Sequence, residues 1–173
     1  RVLSREEVDR ESEVVVTLGV ALPKGDRQKV LVEKATELGV ARLVPLITAR
    51  SVAEPNAKAL ERLRRVVIEA SKQCGRNRLM EVASPLKWIE WLDSANSTGL
   101  CLLAHPSGKS LRDIRIPSEK ATDVTLAIGP EGGFTDEEAA QAVDAGWTPV
   151  SLGPRILRIE TAAVALAACF LVP

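Results

Sequence analysis

Residues Leu126 to Phe134 read LAIGPEGGF, and residues Pro149 to Ala167 read PVSLGPRILRIETAAVALA. In both stretches a short apolar run enters a turn that contains glycine, Gly129–Gly133 in the first and Gly153–Arg158 in the second, and a helix-like segment comes next. Glycine allows positive φ and lets the backbone come close to a ligand. Two such turns close together in the sequence predict one cofactor pocket that is formed mostly by main chain.

Strands and helices are predicted to alternate along the chain. A strand over Glu13–Ala21, a helix over Arg27–Leu38 and a strand over Val40–Ile47 form a βαβ unit, which implies parallel pairing. The other predicted elements are Pro55–Cys74 (helix), Glu81–Ala83 (weak strand), Leu86–Ala95 (helix), Leu100–Ala104 (strand), Val124–Ile128 (strand), Thr135–Gly146 (helix), Thr148–Leu152 (strand) and Thr161–Leu171 (helix). This order predicts an α/β fold.

Particular side chains are expected to define the helices. Asp26 is expected to cap the first helix and Gly39 to end it. Thr135 and Glu138 have the spacing of a capping box. The buried face of the first helix is predicted to consist of Val30, Leu31, Ala35 and Leu38.

Length and composition restrict the class of protein. With 173 residues, 46% of them hydrophobic, the chain is expected to form one domain with a full core. Lys+Arg and Asp+Glu are equal at 23 each, and no apolar run reaches the roughly 18 residues of a membrane span. Three cysteines without metal-ligand spacing predict a reduced, cytoplasmic protein with neither a metal site nor a membrane segment.

A basic segment interrupts this neutral composition. Between Lys58 and Arg78 there are seven basic side chains against two acidic ones, Glu61 and Glu69, which leaves a local balance of +5. One interpretation is a solvated helix face. The other is a patch that contacts phosphates, because Lys and Arg neutralise backbone charge and release counterions. The candidate RNA-binding residues are Arg62, Arg65, Arg76 and Arg78.

Several site chemistries are disfavoured by the sequence. The loop at Gly129–Gly133 is not GxGxxG, so a Rossmann dinucleotide site or a P-loop is not expected. His105 is the only histidine and GxSxG is absent, which argues against a hydrolase. A phosphate-ester enzyme that binds anions through its glycine loops would need an acidic cluster or metal ligands, and the sequence shows neither. Trp88 and Trp91 are expected to pack in the interior, and Ser107–Thr122 to form a surface connection.

The last helix carries no charge over Thr161–Leu171. A helix that is apolar all round is buried on more than one face. In a domain of this size, the second apolar face of the helix is expected to pack against another protomer. The alternative is a helix that lies fully in the interior of one domain. The sequence therefore predicts a homodimer.

Four motifs together resemble one known family. LAIGPEGGFTDEE, LGPRILRIETAAVAL, KATELGV (34–40) and SKQCGRNR (71–78) look like the RsmE-type ribosomal RNA methyltransferases of the SPOUT class, over about Glu13 to Val172. The resemblance implies a mostly parallel sheet with helices on both faces and a C-terminal trefoil knot. It also implies a homodimer that uses S-adenosylmethionine to methylate N3 of a uridine in small-subunit ribosomal RNA.

The resemblance also assigns domains and residues. Residues 1–12 are interpreted as a linker remnant and 13–173 as the catalytic domain, with the family's N-terminal PUA-like RNA-binding domain absent. The cofactor-binding residues implied by the family are Leu103, Ala104, His105, Ile128, Gly129, Pro130, Glu131, Gly132, Gly133, Leu152, Gly153, Ile156, Leu157, Arg158, Thr161 and Ala162.

A cation near uridine N3 would favour its deprotonated form, and Arg158, with Arg155 second, is the candidate catalytic residue. Alternatively, Arg158 pairs with Glu160 or caps a helix. Two other functions remain open: a knotted domain that binds S-adenosylmethionine or a nucleoside without turnover, and a SPOUT methyltransferase with a different RNA target.

Overall fold

The computed structural model describes residues 9–52, 54–94, 99–114 and 123–172. Over these ranges the elements are β1 (Val15–Val20), α1 (Arg27–Leu38), β2 (Arg42–Ile47), α2 (Ala57–Cys74), β3 (Glu81–Val82), β4 (Leu86–Lys87), α3 (Trp88–Ser94), β5 (Leu100–Ser110), β6 (Asp123–Ile128), α4 (Asp136–Asp144), β7 (Thr148–Ser151) and α5 (Ile159–Leu171). A short 3-10 turn, Leu111–Asp113, follows β5. In these ranges, no helix combines the length and the apolar character needed to cross a bilayer.

The strands form one parallel sheet in the order β3-β2-β1-β6-β5-β7, with β4 also paired to β2. At its centre, Leu18 of β1 lies opposite Leu43 of β2 on one side and Leu126 of β6 on the other. The predicted parallel pairing of the first βαβ unit is confirmed. Because all pairs are parallel, the carboxyl ends of the strands lie along the same edge of the sheet.

Helices cover both faces of the sheet. Val16, Leu18 and Val20 of β1 belong to a core cluster that includes buried residues of α1, α2 and α5. A second cluster contains Val44 and Leu46 of β2 together with buried residues of α3 and α4. Successive strand side chains point to opposite faces, so one apolar strand supplies both clusters. The predicted α/β class is confirmed, and the trefoil knot stays a prediction.

The helix ends agree with the sequence more often than the helix starts. α1 ends at Gly39, whose φ of 101° suits glycine, but Asp26 makes no side-chain cap hydrogen bond and has helical backbone angles. α2 starts after Asn56, whose side chain accepts a hydrogen bond from the Ala59 N–H at 2.9 Å. The prediction that Pro55 is the first helical residue is therefore wrong, because the cap lies one residue later.

The buried face of α1 also differs from the prediction. Val30 is 46% exposed, whereas Val32 and Thr36 are buried beside the expected Leu31 and Ala35. Thr36 fits an apolar environment because its hydroxyl donates to the Val32 carbonyl at 2.7 Å. The face is thus rotated relative to the one that apolar residue types alone indicate.

β5 is longer than its apolar run. It was predicted to end at Ala104, but it continues to Ser110 beside β7. Ala104 and Lys109 both lie opposite Val150, so the intervening residues form a bulge. A Cβ atom on Gly108 would lie 2.4 Å from the Val150 nitrogen, which leaves room only for glycine. The predicted surface connection is therefore wrong over residues 107–110; residues 115–122 lie outside the described residues.

Candidate functional site

Three neighbouring strands bring the predicted cofactor residues to one edge of the sheet. β5 lies between β6 and β7, and all three are parallel. Leu103 of β5 lies opposite Ala127 of β6, and Ala104 lies opposite Val150 of β7. The glycine-containing segment after β6, the segment after β7 and the bulge of β5 after Ala104 therefore lie along the same edge of the sheet. In open parallel sheets, ligands bind outside the carboxyl ends of the strands.

The predicted cofactor residues differ in exposure. Four of them form the floor of this edge or the start of the first loop and are buried, namely Leu103, Ile128, Gly129 and Pro130. Those that face solvent are Glu131, Gly132, Gly153, Ile156, Arg158 and Thr161, whereas Ala104, His105, Gly133, Leu152 and Leu157 are half-buried and Ala162 is buried. An apolar floor with an accessible rim is what a bound nucleoside requires.

The Gly129–Gly133 segment, called the glycine loop below, has a defined shape. The Gly133 N–H donates to the Pro130 carbonyl at 2.8 Å, and Gly133 has a φ of 68°. A Cβ atom on Gly129 would lie 3.0 Å from the Phe134 ring. Thr135 and Glu138 form the predicted capping box at the start of α4, directly after the loop. The loop is thus a tight turn held at its far end by a capped helix.

Two arginines that the sequence analysis missed also hold the glycine loop. Nη2 of Arg27, the first residue of α1, donates to Glu131 Oε1 at 2.9 Å. Nη1 of Arg50, which lies after β2, donates to the Gly132 carbonyl at 2.7 Å. Both residues follow strands that run parallel to β6, and that topology is the signal that could have identified them. Sequence distance hides them, since they lie 104 and 82 residues from their partners.

Residues 152–158 after β7, the second loop below, expose both main chain and apolar surface. Ile156 is 96% exposed and Gly153 has a φ of 106°. Within the described part of the chain, the N–H groups of Arg155, Ile156 and Leu157 form no main-chain hydrogen bond. Main-chain donors with no internal partner can bind the polar edge of a ligand. The second loop therefore presents free main-chain N–H groups, whereas the glycine loop is a tight turn without protruding side chains at its glycines.

Arg158 lies at the amino end of α5 with its side chain exposed. It occupies the N-cap position but makes no side-chain cap hydrogen bond. No ion pair between Arg158 and Glu160 occurs among the described residues; Glu160 instead lies 3.9 Å from Arg27. A cation at a helix amino end is disfavoured by the helix dipole. Neither alternative structural role for Arg158 is observed, and Arg155 is likewise exposed.

Among the residues that the structure describes, the remaining reactive side chains form no nucleophilic or metal-binding group. His105 Nδ1 lies 2.8 Å from the Ser107 hydroxyl within the bulge of β5. Burial raises the pKa of the Cys101 thiol, which disfavours its nucleophilic thiolate form. Across residues 9–52, 54–94, 99–114 and 123–172, no three His, Cys, Asp or Glu side chains are grouped to hold a metal ion. The site therefore consists mainly of loops and arginines.

A family model described as an RNA methyltransferase domain matches residues 10–171. The chain belongs to this family. It is 41% identical over 160 residues to the ribosomal RNA small subunit methyltransferase E of Synechocystis sp., an alignment that covers 88% of this chain and 52% of the relative. The resemblance predicted from the four sequence motifs is confirmed.

Two solved structures are similar to this RNA methyltransferase domain. One is a ribosomal RNA small subunit methyltransferase E from Neisseria gonorrhoeae bound to S-adenosyl methionine, with a TM-score of 0.88, 38% identity, and coverage of 95% of this chain and 68% of that one. The other is a methyltransferase from Legionella pneumophila in complex with SAM, with a TM-score of 0.87, 37% identity, and coverage of 95% and 69%. The chain spans about half the length of the Synechocystis relative.

Arg76, one of the four arginines predicted to bind RNA, has a largely buried side chain that forms its contacts inside the domain. The Arg76 side chain is only 6% exposed and pairs with Glu11 through contacts of 2.6 and 3.0 Å. Its Nη1 also donates to the carbonyls of Thr36 and Val40 at 3.0 Å each, at the end of α1. The assignment of Arg76 to RNA binding is therefore wrong, because its guanidinium is already occupied inside the domain.

The other three arginines stay predicted RNA contacts. Arg65 pairs with Glu61 and Arg78 with Asp9 at 3.5 Å, and their side chains are 75% and 72% exposed. Arg62 lines a cleft of about 770 Å³ between α1 and α2, where acidic and basic side chains alternate. Asp9 and Glu11, just before β1, lower the local positive charge of this region. The patch is weaker than its sequence composition indicates.

Proposed function

We propose that this domain transfers a methyl group from S-adenosylmethionine to N3 of a uridine in small-subunit ribosomal RNA. The observation that carries the proposal is the meeting of the glycine loop, the second loop and the end of β5 at one edge of the sheet. The solved relative from Neisseria gonorrhoeae, bound to S-adenosyl methionine, supports the choice of cofactor.

The residues at this edge fit S-adenosylmethionine. Ala104, Leu152 and Leu157 are half-buried and supply accessible apolar surface for an adenine ring. The N–H groups of Arg155, Ile156 and Leu157 make no main-chain hydrogen bond within the described residues, so they can pair with the polar edge of a base. Glycine at Gly132 and Gly153 keeps side chains away from the ligand's path.

The chemistry then depends on orientation and charge. S-adenosylmethionine supplies an activated methyl group when bound, so the protein has to orient it and make the acceptor nucleophilic. Uridine N3 must lose its proton before its lone pair can attack. A nearby guanidinium lowers the pKa of N3, because it stabilises the negative charge that spreads to the flanking carbonyl oxygens. Arg158 has this role in our proposal, and Arg155 supports it.

The RNA substrate makes two further demands. The target base must be unstacked before its N3 reaches the cofactor, which costs a few kcal/mol when the base is stacked. The phosphates around it need cations, for which the exposed Arg62, Arg65 and Arg78 are the candidates. In this proposal the partner is ribosomal RNA of the small subunit, and the protein acts in the cytoplasm.

The active form is proposed to be a homodimer. One face of α5 packs in the core through Ala163, Leu166 and Ala167, whereas Val164 and Ala165 are only half-buried. The half-buried face is apolar and continues the uncharged character of the helix. We propose that this face of α5 packs against a second copy of the chain.

The test is single-turnover transfer of labelled methyl to purified small ribosomal subunits, with cofactor binding measured in parallel. We expect label on N3 of one uridine in subunits from cells that lack this modification, and none in subunits that already carry it. Equal labelling of both would indicate a different RNA target. Cofactor binding without transfer to either would favour a binding domain without turnover.

A further inference from the structure

Arg27 contacts both segments that enclose the proposed pocket. It is the first residue of α1, directly after the β1–α1 turn. Its Nη2 donates to Glu131 Oε1 in the glycine loop at 2.9 Å, and its Nη1 lies 3.9 Å from Glu160 Oε2 in the first turn of α5. A single guanidinium therefore lies between the glycine loop and the helix that follows the second loop.

The contact with Glu160 is incomplete. Glu160 Oε2 is buried and has no hydrogen-bond partner among the described residues. A buried carboxylate oxygen without a partner is costly, and such atoms in native proteins call for an explanation. Arg27 is the cation that faces this oxygen, but their separation is 1.0 Å longer than the 2.9 Å contact to Glu131. A small approach of α5 to the glycine loop would satisfy both carboxylates at once.

We propose that Arg27 is a positioning residue that sets the separation between the glycine loop and the start of α5, and that this link tightens when ligand binds between them. The identity of the ligand rests on the proposed function; the link itself does not. Arginine suits the position because its planar fork presents two separate nitrogens to two carboxylates, whereas lysine offers a single point charge.

The two consequences of losing Arg27 differ in size. Its side chain and that of Glu131 are 34% and 40% exposed, and ion pairs at such positions contribute little to stability. Ligand affinity, in contrast, depends on loops held in their bound arrangement before the ligand arrives. Loss of Arg27 should therefore weaken cofactor binding strongly while the melting temperature changes little.

The experiment compares Arg27→Ala and Arg27→Lys with Arg42→Ala as a matched control. Arg42 also forms an ion pair, with Glu81 at 3.4 Å, and is 47% exposed. It is the first residue of β2 and therefore lies at the amino ends of the strands, away from the proposed pocket. By calorimetry with S-adenosylmethionine, we expect Arg27→Ala to raise Kd about tenfold, Arg27→Lys to recover part of this, and Arg42→Ala to match the wild type. All three should melt within a few degrees of the wild type.

Hydrogen exchange of the ligand-free protein gives a second readout that needs no cofactor. In Arg27→Ala, amides of the glycine loop and of residues 155–160 should exchange faster than in the wild type and in Arg42→Ala.

Each outcome separates this inference from the proposed function. Unchanged exchange at both segments in Arg27→Ala would overturn the link, and so would an unchanged Kd in a protein that binds the cofactor. If the wild type binds no S-adenosylmethionine, the proposed function fails, while faster exchange in Arg27→Ala would still support the link between the glycine loop and the start of α5.

Discussion

Removal of Arg76 should damage the fold rather than a binding surface. Its guanidinium makes two contacts with Glu11 and one each with the carbonyls of Thr36 and Val40. Truncation to alanine leaves a largely buried carboxylate and two carbonyls without their donor. Breaking a buried pair by removing one partner costs about 3–5 kcal/mol. Because Glu11 lies just before β1 and can turn toward water, we expect the lower end, about 3 kcal/mol.

Arg78 provides the matched control. Its pair with Asp9 is 3.5 Å long, and both side chains are more than two-thirds exposed. Such a pair contributes about 0–1 kcal/mol. In a domain of this length, about 1 kcal/mol corresponds to roughly 2–4 °C in melting temperature. We therefore expect Arg76→Ala to melt about 6–12 °C below the wild type, and Arg78→Ala at most about 4 °C below.

The assay is thermal and urea unfolding followed by circular dichroism, combined with RNA binding at a temperature at which both variants are folded. Arg76→Ala should bind RNA as the wild type does, because its side chain is not presented to solvent. Two results would refute this reasoning: equal stability of the two variants, or loss of RNA affinity in folded Arg76→Ala.

Three further predictions concern the proposed chemistry and assembly. Arg158→Ala should slow single-turnover methylation about a hundredfold, and the rate should recover in part as pH rises, with little change in cofactor affinity. A parallel loss of cofactor binding would make Arg158 part of the pocket instead. Ala165→Glu should weaken dimerisation about a hundredfold in sedimentation, because it places a charge in an apolar contact, and a dimer that persists would exclude α5 as the interface. Neutralising Arg62, Arg65 and Arg78 together should weaken RNA binding and flatten its dependence on salt; an unchanged salt slope would remove them from the interface.

Local patterns predicted the architecture well for a physical reason. β1, β2 and β6 are buried on both faces over most of their length, so their sequences are nearly continuous apolar runs, as is typical of a parallel sheet. The helix ends at Gly39 and Gly75 have positive φ, and the capping box at Thr135 depends on residues three apart. Each of these signals is contained within a few residues, which is why the sequence alone reveals it.

The features that the sequence analysis did not predict depend on residues that lie far apart in the sequence. The extension of β5 beyond Ala104 depends on pairing with β7 around a bulge, and its polar residues have no strand pattern of their own. Arg27, Arg50 and Arg76 acquire their roles from hydrogen-bond partners that lie 36 to 104 residues away. Charge counting treats such arginines as surface residues, since burial and pairing appear only when distant segments meet. The positions of the two loops could be predicted, but Arg27 and Arg50, which hold the glycine loop, could not.

The aromatic cluster on one face of the sheet gives the protein an intrinsic optical reporter. The chain has three tryptophans and no tyrosine, and Trp88, Trp91 and Trp147 lie together, with ring centroids 6.1 to 6.4 Å apart along the cluster. Phe134, which directly follows the glycine loop, lies 4.6 Å from Trp88. Since emission depends on the immediate surroundings of each indole, a shift of the glycine loop transmitted through Phe134 would change the fluorescence spectrum. Ligand entry could thus be followed in real time without an attached dye.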